Sequence, residues 1–282
     1  MKLTRILSCF ALTLAAGCHS EPAMVRQMHK DELINAIREK LLESAEAEKS
    51  AVLATTDDES QAAALEAKKY EAEVNADRGE LGRLVAADGR REEIEKFDAF
   101  DAAWAELERI DERLLALAVA NTNLKAARLV SRDGAAALDR FVNALTEMQH
   151  AVAEPDTIRT LSQASVAALR SQSLLFVHIP SADDAEMTRL EQQMANLNAE
   201  VEHCLRTVRE SGRPGLERLE SASQAWGDYQ RLSAEIIRLS RQNSNVISFD
   251  VSVHEKRKAT KDCLSALAAL SAAVGGGPHP SR

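Results

Sequence analysis

The residues able to do chemistry in this chain are few and scattered: seven histidines, four cysteines, and a set of Trp, Arg and Asn that occurs twice. A metal centre needs imidazoles and thiolates at short fixed spacings. No C-x-x-C-H, H-E-x-x-H or paired C-x-x-C is present. His203 and Cys204 are adjacent, which on a helix turns their side chains to different faces. No glycine-rich phosphate loop, nucleophile elbow or Ser-His-Asp set is found either. The expectation is therefore a non-enzymatic protein without metal or cofactor. The acids Asp57-Asp58-Glu59 and Asp183-Asp184 read as first-turn residues favouring helix N-termini rather than as calcium ligands.

The duplicated set is more informative. From Trp104 the chain reads WAELERIDERLLALAVANTNL, and from Trp226 it reads WGDYQRLSAEIIRLSRQNSNV. Trp, Arg (Arg109, Arg231), Leu (Leu117, Leu239) and both Asn of an N-x-N (Asn121 and Asn123, Asn243 and Asn245) recur after 122 residues. Trp104, Arg109, Asn121, Trp226, Tyr229, Arg231 and Asn243 are the candidate ligand-binding residues. The amides would bind a carboxylate, the indoles would stack on a ligand, and the guanidinium forks would clamp an acid. Each has a structural reading that is the favoured one. Asn123 and Asn245 are good N-caps, Asn121 and Asn243 form a polar layer, the tryptophans are core anchors, and the arginines are exposed ion-pair partners.

These residues sit on long helical stripes. Phe97, Phe100, Trp104, Leu107, Ile110, Leu114, Leu117 and Asn121 step by three or four, as do Leu219, Ala222, Trp226, Tyr229, Leu232, Ile236, Leu239 and Asn243. Turn signals recur near residues 55–58, 88–89, 121–123, 154–156, 179–181, 211–214 and 243–245. They leave eight segments, each on the order of 40 Å long as a helix. The expected fold is all-α: two tandem antiparallel up-and-down four-helix bundles of about eight helices, stacked or side by side. Ser131-Arg132-Asp133-Gly134 interrupts the fourth segment. Asn245–Val253 is β-branched, but its alignment with the first repeat makes it helix.

The N-terminus reads as an export signal. Lys2 and Arg5 precede an apolar run from Ile6 to Leu14 and the small residues Ala15-Ala16-Gly17. Cys18 follows, which resembles the lipobox of bacterial lipoproteins, although Ala15 stands where Leu is usual; the alternative is an ordinary secretory signal. The resemblance implies lipid attachment at Cys18 and a membrane-anchored lipoprotein, of the outer membrane and periplasm in a two-membrane bacterium. Expected boundaries are a signal peptide 1–17, a lipidated linker 18–27, modules 28–153 and 155–273, and a disordered tail 274–282. Cys204 and Cys263 remain; in an exported protein a pair suggests a disulfide, but both lie on core stripes, so two buried thiols are preferred. The net charge of −9 argues against a nucleic-acid partner.

At the Trp-to-Asn blocks the chain resembles the four-helix-bundle sensor domain of bacterial chemoreceptors and sensor kinases. Trp104, Leu107, Ile110, Leu114 to Ala118, Asn121, Lys125-Ala126 and Ala135 to Leu145 carry the likeness. In the second module Trp226, Tyr229, Ile236-Ile237, Leu239, Asn243 and Leu264 to Leu270 carry it. The resemblance implies a non-catalytic extracytoplasmic sensor-like module whose ligand is a small organic or amino acid. A homodimer and a membrane or periplasmic partner protein are also implied. The chain departs from that family in having a lipid anchor and the ending GGGPHPSR where transmembrane and signalling segments are usual. A structural scaffold acting by protein–protein interaction is the alternative.

Overall fold

The computed structural model describes residues 23–212 and 218–275, and these are all-α, without a strand. The expected signal peptide and lipid-attachment residue Cys18 lie outside the described residues. Six rods are single helices: α1 (Ala23–Leu53), α2 (Asp57–Asp88), α3 (Arg91–Ala120), α6 (Pro155–His178), α7 (Asp184–Glu210) and α8 (Leu219–Gln242). Two more rods are each made of two helices joined by a π-helical turn. One is α4 (Thr122–Leu129) and α5 (Ala135–Ala151), joined at Val130–Gly134; the other is α9 (Ser244–Val251) and α10 (Arg257–Gly275), joined at Ser252–Lys256. Residues 131–134 therefore widen the rod instead of ending it, and Asn245–Val253 is helical despite its β-branched side chains. α1 starts inside the expected linker and α10 runs into the expected tail.

Local chemistry explains the ends. Thr56 accepts the Glu59 amide and Glu59 accepts the Thr55 amide, opening α2. Asp183 accepts the amides of Ala185 and Glu186, opening α7. Gly89 at φ 63° closes α2 in the left-handed region that glycine adopts without penalty.

The two repeats do not each enclose a core. One core joins α1, α2 and α3 to Val251, Ala259, Cys263, Leu267, Leu270 and Val274 of α9–α10. The other joins α6, α7 and α8 to Ala126, Val130, Ala137, Phe141, Leu145 and Met148 of α4–α5. The contiguous modules 28–153 and 155–273 are thus corrected: the repeats exchange their fourth rods. Phe141 and Cys263, Leu145 and Leu267, and Met148 and Leu270 occupy equivalent buried positions, so their apolar stripes alone do not say which bundle each rod joins.

The connection makes the choice. Asn121 (φ 51°) and Asn243 (φ 52°) are the only non-glycine residues at positive φ among the described residues, a conformation asparagine tolerates better than most. Each redirects the chain by one residue. α4 leaves α3 and packs on α8, while α9 leaves α8 and packs on α3. The α1–α2 turn meets the same junction through Arg128, which donates to Thr55 O and Asp57. The α6–α7 turn meets it through Ser181 O, which accepts from Asn243. The bundles are stacked end to end. Ala23 and Gly275 both lie at the far end of the first bundle, where Gln27 donates to Val274 O (2.9 Å) and Arg90 to Ala273 O (3.2 Å).

Candidate functional site

The N-x-N pairs form a clasp at this junction. Thr122 N–H donates to Ser244 Oγ (3.0 Å) and Ser244 N–H to Thr122 Oγ1 (3.1 Å). Asn123 N–H donates to Asn245 Oδ1, and Asn245 N–H to Asn123 Oδ1, both at 3.1 Å. Asn123 Nδ2 donates to Asn243 Oδ1 (2.8 Å) and Asn245 Nδ2 to Asn121 Oδ1 (3.0 Å). The pattern is reciprocal about a pseudo-two-fold axis. The first amides of α4 and α9 are orphan donors, and each is capped by the other rod rather than by its own asparagine. Asn121 also donates to Ser60 Oγ and Asn123 to Ile179 O. These buried amides are occupied by one another.

The remaining sequence candidates do not converge. Trp104 is buried and donates Nε1–H to Asn75 Oδ1 at 2.9 Å. Trp226 stacks on Tyr229 with centroids 5.2 Å apart and tilts against Phe141 at 5.1 Å, in the second bundle. Its Nε1–H has no acceptor. Burial pushes the Tyr229 hydroxyl up to about 12 beside Ser171. Arg109 and Arg231 face solvent and pair with Glu106 and Asp228 three residues earlier. Cys204 and Cys263 are free, buried, and in different bundles, so the disulfide is excluded by the rod exchange. Burial pushes the Cys263 thiol up to about 12 and raises that of Cys204, which keeps both unreactive.

The unexpected feature is a buried ionic layer in the first bundle. Lys256 ends the second π turn, and its Nζ lies 2.7 Å from Glu48 Oε2 and hydrogen-bonds Asp111. Lys256, Glu48 and Asp111 are nearly devoid of solvent contact. Glu71 on α2 completes the set, with carboxylate oxygens of Glu48, Glu71 and Asp111 within 4.8 Å of one another. Burial, with Glu48 adjacent, pushes Glu71 up to about 7 against the pull of Lys256. Burial outweighs the same lysine at Asp111, whose carboxyl rises to about 8, with Glu48 adding to the rise. Three carboxylates and one ammonium cannot all be charged in so dry a place, so the layer retains a proton at neutral pH. Three such oxygens would also suit a hard cation, but the Lys256 ammonium already stands between two of them.

Among the described residues the sister bundle has no such layer. The N-caps Thr56 and Asp183 and the buried serines Ser44 and Ser171 place the first two helices of the repeats 127 residues apart; the last two rods are 122 apart. Glu48, Glu71, Asp111 and Lys256 therefore correspond to Leu175, Asn198, Ser233 and Gly134. The same architecture closes with neutral side chains, so the ionic layer is not a requirement of the fold.

Glu48 and Lys256 also form part of the wall of an open groove of about 860 Å³ between α1 and α9–α10. Its apolar walls include Leu42, Val52, Leu53, Phe249, Val253 and Leu264, and Lys49, Arg257 and Lys261 stand along it. The π turn carries Ser252, Val253 and Lys256 into it. Extra residues of this kind often mark functional places in helices. None of these residues was read from the sequence as part of a site. The available signal was a charge at a stripe position, as Glu48 shares the spacing of Leu41, Ser44 and Ala51, together with the mismatch of Asp111 with Ser233 and of Lys256 with Gly134.

Two further polar sets tie helices together. Lys30 bridges Glu93 (2.6 Å) and Asp88 (2.7 Å) at the far end of the first bundle. His178 Nδ1 meets Ser240 Oγ (2.8 Å) and its Nε2 meets Glu191 (2.9 Å), which Arg241 also holds.

No family model matches the chain, and no curated protein matches it. Among solved structures it is similar to the sensor domain of the V. parahaemolyticus histidine kinase sensor TorS. That likeness has 12% identity and a TM-score of 0.54, and covers 90% of this chain and 98% of the other. At that identity the likeness is one of fold: the chain shares the helical architecture of that domain. Among the described residues no helix is long and apolar enough to cross a membrane.

Proposed function

We propose that this chain is a lipid-anchored, extracytoplasmic, non-catalytic binding module of the sensor type, which takes its ligand in the groove between α1 and α9–α10. One observation carries the reading. The groove abuts an ionic layer present in only one of two otherwise equivalent bundles, so those residues are free of an architectural duty. Cys18 would tether the chain just before α1, which puts the first bundle next to the membrane. α1 and α10 flank the groove, and the start of α1 and the end of α10 lie side by side at that membrane-facing end. A ligand that changes their separation would be felt where a partner protein could read it. The membrane contact through the lipid and a homodimer are parts of the same proposal, and the screen below decides whether the groove's ligand is a small organic or amino acid or a larger amphiphile.

The test is a thermal-shift screen of the mature chain against organic acids, amino acids and amphiphiles, repeated with Val253→Asp. A ligand whose shift disappears in the variant supports the reading. Shifts that persist unchanged in Val253→Asp would move the site elsewhere. Acylation at Cys18 is checked by mass spectrometry of detergent-extracted protein, where an unmodified residue removes the tether. A scaffold is the second reading. Val166, Leu169, Phe176 and Val177 form an exposed apolar stripe on α6, which a partner or second copy would cover. Concentration-dependent self-association lost in Phe176→Glu, with no ligand found, would favour it.

A further inference from the structure

We infer that the occupant of this groove is an amphipathic helix of a partner protein bearing acidic residues; the inference rests on the groove being the functional site. Shape comes first. From Leu42 to Leu53 the groove follows α1 for about 17 Å, roughly three helical turns. Its apolar edges are too open for an enclosed small molecule: Leu42 is 51%, Leu53 67%, Phe249 54% and Val253 38% exposed. A pocket for a small ligand covers most of that ligand's surface. Edges half in solvent instead suit a helix that lays its own apolar face between them.

Charge decides the rest. Five surface arginines are neutralised locally: Arg109, Arg159, Arg189, Arg231 and Arg238 each pair with an acid three residues earlier. Arg257 and Lys261, one turn apart on α10, are exposed, and neither has an ion pair among the described residues. With Lys49 they put three exposed cations along the groove against the one exposed acid Glu46, on a chain of net charge −9. Lys49 on α1 is held only by Glu46 at 3.4 Å, in full solvent. The second bundle again supplies the contrast, with Phe176, Ala135 and Asp139 at the positions of Lys49, Arg257 and Lys261. Apolar residues at the two ends of the groove and cations between them prescribe the partner: apolar anchors about three turns apart, with Glu or Asp along the flanks.

The test uses the full mature chain with Cys18→Ser and fluorescence anisotropy. The probes are an 18-residue leucine–alanine helix flanked by glutamates, its lysine twin, and dodecanoate. The acidic helix should bind at least tenfold tighter than the twin. Arg257→Glu with Lys261→Glu should invert that preference, and Phe249→Ala and Val253→Asp should each weaken both peptides. Far-UV dichroism verifies that the variants remain helical. Equal affinity for the two peptides, or indifference to Arg257→Glu with Lys261→Glu, overturns the inference. Binding of dodecanoate alone, abolished by Val253→Asp, also overturns the helix while leaving the groove as the site. If no probe responds to Val253→Asp, both the helix and the groove are overturned.

Discussion

Lys256→Met is the sharpest probe of the ionic layer. Lys256 is 8% exposed, and its partners Glu48 and Asp111 are 2% and 1% exposed, so methionine fills the volume while leaving both carboxylates buried without a cation. Breaking a buried pair by removing one member costs about 3–5 kcal/mol. Asp111 already titrates at about 8, so one proton relieves part of the repulsion and the lower end is expected, about 3 kcal/mol at pH 7.5. For a chain of this size that is roughly a 6–12 °C drop in melting temperature. The pH dependence is a second readout. Glu71 and Asp111 have folded-state values raised to about 7 and about 8, above the ordinary carboxylate range near 4. The folded state therefore holds more protons between about pH 4 and 8. The stability from those protons is complete below pH 4 and is lost as pH rises through 7 and 8. Acidifying from pH 8.5 to 5 should stabilise the wild type and should rescue much of the Lys256→Met deficit. The quadruple variant E48L/E71N/D111S/K256G, which copies the second bundle's layer, should stay within about 1–2 kcal/mol of wild type, since buried ionic sets are often replaceable by neutral packing. Its pH response should be flat. Urea titrations at several pH values measure all three proteins. A quadruple variant that fails to fold, a Lys256→Met cost under about 1 kcal/mol, or a wild type that gains stability from pH 5 to 8.5 would refute the reasoning.

Asn123→Ala strips partners from the Asn245 amide, the Ile179 carbonyl and Asn243 Oδ1, and should cost about 3 kcal/mol by chemical denaturation. It should leave groove binding unchanged once the protein is folded. Trp104→Phe orphans Asn75 Oδ1, whereas Trp226→Phe removes an N–H that has no acceptor; the first should therefore cost about 1 kcal/mol more than the second. Arg109→Ala and Arg231→Ala should each alter stability by less than about 0.5 kcal/mol and alter ligand binding not at all, since both pairs are solvent-exposed. A thiol reagent should label neither Cys204 nor Cys263 in native protein and both after unfolding, and the intact mass should carry no disulfide.

The sequence by itself determined the helices, because a helix records its buried face as local periodicity. Trp104, Leu107, Ile110 and Leu114 are buried as their spacing requires, as are Trp226, Tyr229, Ile236 and Leu239, with Leu232 partly so. It also determined that the repeats are alike, since residue identity at a fixed offset needs no third dimension. The packing of rods across bundles was not legible. Phe141 and Cys263 present the same kind of stripe, so only the direction imposed at Asn121 and Asn243 tells which core each enters. The N-x-N pairs were legible as important polar positions, but their partners sit 120 to 124 residues away, and only the exchange of rods makes them cap each other. The candidate site was the least visible part. Glu48, Glu71, Asp111 and Lys256 come from four rods of one bundle, and no short spacing links them. Each alone looks like a surface charge near a stripe. Tertiary structure gives them meaning, because burial removes the water that would make their charges ordinary.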